Sequence, residues 1–198
     1  MKKLNLLLAG VGGQGVILAS DIISDAALAA GYDVKKTDTI GMAQRGGSVV
    51  SHIRMAPQVW SPLIREGEAD IILGFEKLES ARWGYYLRSE GVAIINNQAL
   101  PPPSVNTGSE QYPGDERIAA ALNQRTDIVH FVDGIRLAKQ AGNIRTYNTV
   151  LLGCLSKFTP FKVNVWKDSI SKHIAAGLLD VNLAAFDIGR KEMQKLNL

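Results

Sequence analysis

Leu4-Asn5-Leu6-Leu7-Leu8-Ala9-Gly10-Val11-Gly12-Gly13-Gln14-Gly15-Val16-Ile17-Leu18-Ala19-Ser20 is the stretch whose reading decides the fold. Its leucine-rich half reads as a strand covered on both faces, its glycines as a sharp turn, and the remainder as the opening of a helix. Unpaired N–H groups and the positive dipole end of such a helix together make an anion site, most often used for a phosphate. Gly10, Gly12 and Gly15 satisfy the dinucleotide fingerprint in spacing, and Asp38 lies about twenty residues on, where a ribose-binding carboxylate is sought. Gly13 and Gln14 exceed what that fingerprint needs, so the loop is also open to a partner or a different ligand. The competing explanation is packing alone, a glycine turn that lays a helix on a sheet.

Working outward, Val16 to Ala30 has helical periodicity with Gly31 as its stop, and Tyr32 to Thr37 reads as a second strand. A strand, helix and strand joined this closely predict a right-handed crossover and a parallel pair. Thr39-Ile40-Gly41-Met42-Ala43-Gln44-Arg45-Gly46-Gly47 follows as a polar, glycine-punctuated loop and a second candidate site. With Gly46 and Gly47 allowing close backbone approach, the guanidinium of Arg45 beside Gln44 is suited to an anion. Ser48 to Met55 is a partly alternating strand, and Pro57 limits its extension.

Further strands are expected at Asp70 to Phe75, Gly91 to Asn96 and Asp127 to Asp133, with helices at Leu78 to Trp83 and Glu116 to Gln124. The run Leu100-Pro101-Pro102-Pro103 and Thr107 to Gly114 read as a surface excursion. From Ile135 the chain is mostly helical, over Ile135 to Ala141, Thr149 to Phe158, Val165 to Ala176 and Val181 to Lys195, with Asn148 placed to cap the second. The pattern predicts one α/β domain over residues 1–198: a single doubly wound, mostly parallel sheet with helices on both faces and a helical C-terminal region.

Composition narrows the function. With 46% hydrophobic and 21% charged residues and a mean hydropathy of +0.02, the balance is that of an ordinary globular protein. The net charge of +3 and the lack of a basic run with interleaved aromatics argue against nucleic acid. Met1-Lys2-Lys3 before the leucines imitates a secretory leader, but four glycines and Gln14 interrupt the apolar run, so the expected compartment is the cytoplasm and no membrane association is expected. The single Cys154, in an apolar run, reads as a core residue, and one thiol cannot hold a cluster. His130 and His173 read as structural histidines. No nucleophile, base and orienting acid can be assembled by spacing, and Asp38 and Glu76 read as strand-end caps rather than as an acid or base.

Gly10 to Gly15, Gly41 to Val49, Ser61-Pro62-Leu63-Ile64, Gly142-Asn143 and Asn148 to Gly153 together resemble the gamma-type domain of the 2-oxoacid:ferredoxin oxidoreductases, over nearly the whole chain. The resemblance implies one subunit of a complex that oxidatively decarboxylates an aryl 2-oxoacid of the indolepyruvate kind, with coenzyme A as co-substrate and ferredoxin as acceptor. It implies no cofactor on this chain alone: thiamine diphosphate with Mg and the iron–sulfur clusters would sit on a larger alpha subunit. Gly114-Asp115-Glu116 departs from the Gly-Asp-Gly that would hold a diphosphate through a metal, in keeping with that division. The ligand- or interface-binding role falls on Gly12, Gly13, Gln14, Gly15, Gln44, Arg45, Gly46 and Gly47, with no catalytic residue and no metal site. Without its partner the chain is open to forming a homodimer. Two other readings stand beside this one, a Rossmann-type NAD(P) oxidoreductase and a catalytically silent assembly module.

Overall fold

The computed structural model describes residues 2–41 and 47–195. Its elements are β1 (Leu4–Val11), α1 (Val16–Ala29), β2 (Asp33–Ile40), β3 (Ser48–Ala56), β4 (Ala69–Gly74), α2 (Lys77–Arg82), β5 (Leu87–Asn96), α3 (Pro103–Asn106), α4 (Asp115–Asn123), β6 (Val129–Val132), α5 (Gly134–Ala141), α6 (Tyr147–Leu155), α7 (Val163–His173) and α8 (Ala176–Gln194). Short 3-10 turns at Gly84–Tyr86 and Ile144–Thr146 lead into β5 and α6.

The strands form one six-stranded sheet in the order β2-β3-β1-β4-β5-β6. β1, β4, β5 and β6 are parallel neighbours, and β3 runs antiparallel to both β1 and β2. The expected pairing of the first two strands is therefore not made: β3 inserts between them. Burial explains the choice. β3 carries Val49, Val50, Ile53 and Met55, all buried, whereas the charged Asp-Val-Lys-Lys-Thr-Asp segment of β2 suits an edge, where water satisfies one side and charge discourages further pairing.

Alternation along β1 divides the core. Leu6 and Leu8 face α1 and the C-terminal helices, with Trp166, Phe186 and Leu151 among the buried side chains there. Leu7 faces the other side with Val50, Ile72 and Ile95, under Ile118 and Leu122 of α4. Helices thus cover both faces, as expected of a doubly wound sheet.

Several expected boundaries move; β2 runs on through Ile40, so Thr39 and Ile40 belong to the strand and not to the loop, and α6 ends at Leu155 rather than Phe158. α6 begins at Tyr147 with Thr146 at its cap, so Asn148 lies inside the first turn; its Oδ1 accepts from Thr149 N–H at 2.8 Å. The last two helices break at Ile174-Ala175, earlier than expected, and neither α7 nor α8 has a side-chain cap bond to announce its start. β5 starts at Leu87 rather than Gly91.

The β3–β4 connection is braced from the sheet. Arg54 Nη1 donates to the carbonyls of Ser61 and Leu63 at 3.1 and 3.2 Å, and Ile64 N–H donates to Nδ1 of buried His52 at 3.3 Å. Burial holds the His52 pKa below its ordinary value of 6.5. As pH falls through that value the unfolded chain takes up the proton first, so stability is lost on acidification. Burial lowers His130 as well, with the same sign. Denaturation followed between pH 7 and 5 should show declining stability, with a shallower decline in His52→Asn, which keeps an acceptor for Ile64; an unchanged slope would remove His52 from this account.

Candidate functional site

The site is built at the carboxyl ends of β1 and β4. Gly10 is there for packing: a Cβ would meet Phe75 Cβ and Val16 Cγ2, each at 2.8 Å. Gly13 (φ +97) and Gly15 (φ +78) hold left-handed backbone, and Gly15 is the N-cap of α1. Gly12 does not share that conformation; its N–H donates to Gly47 O at 2.9 Å. The two glycine motifs, separate in sequence, therefore meet at this bond. Gly41 N–H donates to Ser48 O at 2.9 Å and closes the neck between β2 and β3. Gln44, Arg45 and Gly46 lie outside the described residues.

Gln14, 4% exposed, turns inward. Its Oε1 accepts from Val11 N–H at 2.8 Å, and its Nε2 donates to Phe75 O at 3.0 Å and Gln98 Oε1 at 3.3 Å. Asn96 Nδ2 donates to the same Phe75 carbonyl and to Gln98 Oε1, both at 3.1 Å, while Asn96 Oδ1 accepts from Gly134 N–H. Tyr147 Oη donates to Gln14 O at 3.2 Å, and burial pushes its phenol up to about 12. These amides tie the glycine loop to three strand ends and to α6. Of this support, Asn96, Gln98 and Tyr147 escaped the sequence reading; the amide run Asn96-Asn97-Gln98 at a strand end was the available signal.

What the loop shows to the outside is backbone and apolar surface. A cavity of about 380 Å³ is lined by Gly12, Gly13 and Gly15 with Val11, Val49 and Ile40, the last 59% exposed. Neither expected carboxylate is available to it. Asp38 accepts from Ser51 Oγ at 2.6 Å and pairs with Lys36 at 3.0 Å, an ion pair that helps raise the Lys36 pKa against the opposing effect of burial. Glu76 is buried and caps α2: it accepts from Glu79 N–H at 2.8 Å, Leu100 N–H at 3.1 Å and Tyr112 Oη at 2.5 Å. Burial, then this bond, raises the Tyr112 pKa.

The described residues do not fit an iron–sulfur cluster or a metal-bound diphosphate. Cys154 is buried, its thiol donates to Gly189 O at 3.4 Å, and burial pushes its pKa to about 12. Asp115 is paired with Lys77 at 2.5 Å. Among the described residues no three His, Cys, Asp or Glu side chains are grouped to hold a metal, and no helix is long and apolar enough to cross a membrane.

Gly13→Val should lose stability by backbone strain alone, since open space surrounds an added Cβ; the penalty expected is about 1 to 3 kcal/mol. Gly114 is the reference position, since its backbone is not left-handed and an added Cβ there also faces open space. Equal melting temperatures for Gly13→Val and Gly114→Val would contradict the strained turn.

The fold and the paired glycine motifs define a class. Residues 5–192 match the family model for pyruvate ferredoxin/flavodoxin oxidoreductase, and the chain belongs to that family. Among its relatives are the indolepyruvate oxidoreductase subunits IorB of Pyrococcus horikoshii, 36% identical over 99% of this chain and 98% of that one, and of Archaeoglobus fulgidus, 36% identical over 94% of each. More distant is the common gamma subunit of the pyruvate/ketoisovalerate oxidoreductases of Pyrococcus furiosus, 23% identical over 89% of each. The fold is shared with a keto/oxoacid ferredoxin oxidoreductase gamma subunit from Geobacter sulfurreducens (TM-score 0.71, 20% identity, 97% of this chain and 99% of that one). It is shared also with a 2-oxoglutarate:ferredoxin oxidoreductase from Magnetococcus marinus, solved with 2-oxoglutarate, coenzyme A and succinyl-CoA bound (TM-score 0.76, 21% identity, 98% of this chain and 32% of that one).

Proposed function

We propose that this chain is the smaller, cofactor-free subunit of a complex that oxidatively decarboxylates an aryl 2-oxoacid, with indolepyruvate as the first candidate. The 2-oxoacid loses its carboxylate as carbon dioxide, its acyl carbon forms a thioester with coenzyme A, and two electrons pass to ferredoxin. Thiamine diphosphate with magnesium, and the iron–sulfur clusters, belong to a larger alpha subunit. This chain contributes the edge formed by Gly12, Gly13, Gly15 and Gly47, together with Gln44, Arg45 and Gly46, to the interface and to closure of the cleft on the coenzyme A side.

One observation carries the reading: among the described residues the glycine-loop edge offers backbone and apolar surface, including Ile40, and no free acid, base or nucleophile. An edge of that composition is suited to being completed by another protein. The nicotinamide alternative is weakened by geometry. Asp38 is spent on Ser51 and Lys36, and β3 stands between β1 and the strand that carries it. Thermal melting separates the readings: the alpha partner should raise the melting temperature and NADH should leave it unchanged, and the reverse pattern would favour the dinucleotide.

A further inference from the structure

At the opposite end of the strands, the amino ends of β1, β4 and β5 border a second cavity of about 290 Å³. It lies a strand length from the glycine loop, since Leu4 and Val11 are the two ends of β1, roughly 23 Å apart at strand rise. Its apolar lining is Leu4, Ile71 and Val92 from the three strands, and Phe158 and Pro160 from the segment after α6. These walls are preformed. Phe158 N–H donates to Leu155 O at 2.9 Å, its ring lies 5.8 Å from that of His130, and Pro160 has no N–H to satisfy.

The rim is charged, and unevenly so. Lys2, Lys3 and Arg88 stand against the single carboxylate of Asp70. Asp70 is already occupied: Oδ1 accepts from Arg88 Nε at 2.9 Å and Oδ2 from Asn5 N–H at 2.8 Å. The two lysines are the available charges. Lys3 reaches only Glu68, at 4.0 Å, and Lys2 makes no ion pair among the described residues. An apolar floor beneath two exposed ammonium groups, one of them held only by a long 4.0 Å pair, is complementary to a ligand with an apolar body and one anionic end. A polyphosphate is a poor match, because the floor offers no donors. A neutral hydrocarbon leaves the lysines unused. The volume is at the low end for ligand pockets, roughly 300 Å³, which limits the body to a ring or two.

We propose that this cavity binds a small amphiphilic carboxylate, its aryl or branched alkyl body seated against Ile71, Val92 and Phe158 and its carboxylate at Lys2 and Lys3. Such a ligand bridges the sheet to the segment after α6, so it stabilises the chain without touching the glycine-loop edge. The inference is independent of the activity proposed above.

The test is an NMR titration of the full chain with phenylacetate, using phenylacetamide as the neutral analogue and acetate as the headgroup alone. Phenylacetate is expected to bind with a Kd of about 1 mM or tighter. Its shifts should centre on Ile71, Val92 and Phe158, binding should weaken as salt rises, and the two controls should bind at least about tenfold more weakly. The double variant Lys2→Ala/Lys3→Ala, on exposed positions, should lose about tenfold in affinity with its melting temperature unchanged. Val92→Phe should lose binding by filling the cavity, and if it fails to fold the lysine variant still decides. No binding at 10 mM (about tenfold above the expected Kd), shifts centred on the glycine loop, equal binding of phenylacetamide or acetate, or wild-type affinity in the lysine variant would each overturn the proposal.

Discussion

Gly189→Ala should be among the most damaging single-methyl changes in this chain. Here α6 and α8 approach backbone to backbone: a Cβ on Gly189 would lie 2.0 Å from Val150 O, and one on Gly153 would lie 2.1 Å from Phe186 O. Neither neighbour is a flexible side-chain end, so relief requires moving a helix. The expected cost is about 3 kcal/mol or more, a fall of roughly 6 to 12 °C in melting temperature for a chain of this size. Gly177→Ala makes the same chemical change on the same helix, at an exposed position with open space around it, and should be neutral or stabilising by up to about 1 kcal/mol. The pair separates a close approach from a general effect of helix glycines: a wild-type melting temperature in Gly189→Ala would refute the contact. The contact also bears on the site, because α6 begins with the Tyr147 that bonds the glycine loop.

The second large effect is expected at Arg45, in function and not in folding. Arg45 is two residues before Gly47, which is bonded to Gly12, so the chain ties it to the proposed interface edge. A guanidinium holds a carboxylate or phosphate by two parallel hydrogen bonds, and lysine cannot reproduce that geometry. Arg45→Lys should keep the charge and the melting temperature yet cost the reconstituted complex about tenfold or more in activity or subunit affinity, roughly 1.4 kcal/mol. Unchanged activity and affinity would return Arg45 to an ordinary loop cation, and a large drop in melting temperature would make it structural.

The fold was legible where a pattern is local. Leu4 to Ser20 carries its own strand, turn and helix signals, and β1 and α1 follow it closely. The order of the strands was not legible in the same way, because it depends on comparing burial between two neighbours: only the charge of β2 against the apolar β3 hints that the later strand takes the inner place. The break at Ile174-Ala175 lacks any capping side chain and is marked in the sequence only weakly, by the basic Lys172-His173 in the last turn of α7. Gly153 sits in an apolar helix and looks unremarkable alone; its meaning depends on Gly189, on another helix. At the site, glycine spacing located the loop, whereas the inward turn of Gln14 depends on the Phe75 carbonyl sixty-one residues away. The spacing rule also proposed Asp38 as a ribose ligand, but Ser51, brought beside it by β2–β3 pairing, and Lys36, two residues earlier on its own strand, already hold it.

In the role proposed here this chain is a cofactor-free subunit that acts only with a larger partner. The most direct test of that role is anaerobic reduction of ferredoxin by indolepyruvate and coenzyme A, assayed with each subunit purified separately and then with the two mixed. Substrate-dependent turnover is expected only in the mixture, with iron, acid-labile sulfide and thiamine diphosphate recovered from the larger subunit. Stoichiometric iron and sulfide on this chain alone, or full turnover by the larger subunit without it, would contradict the account.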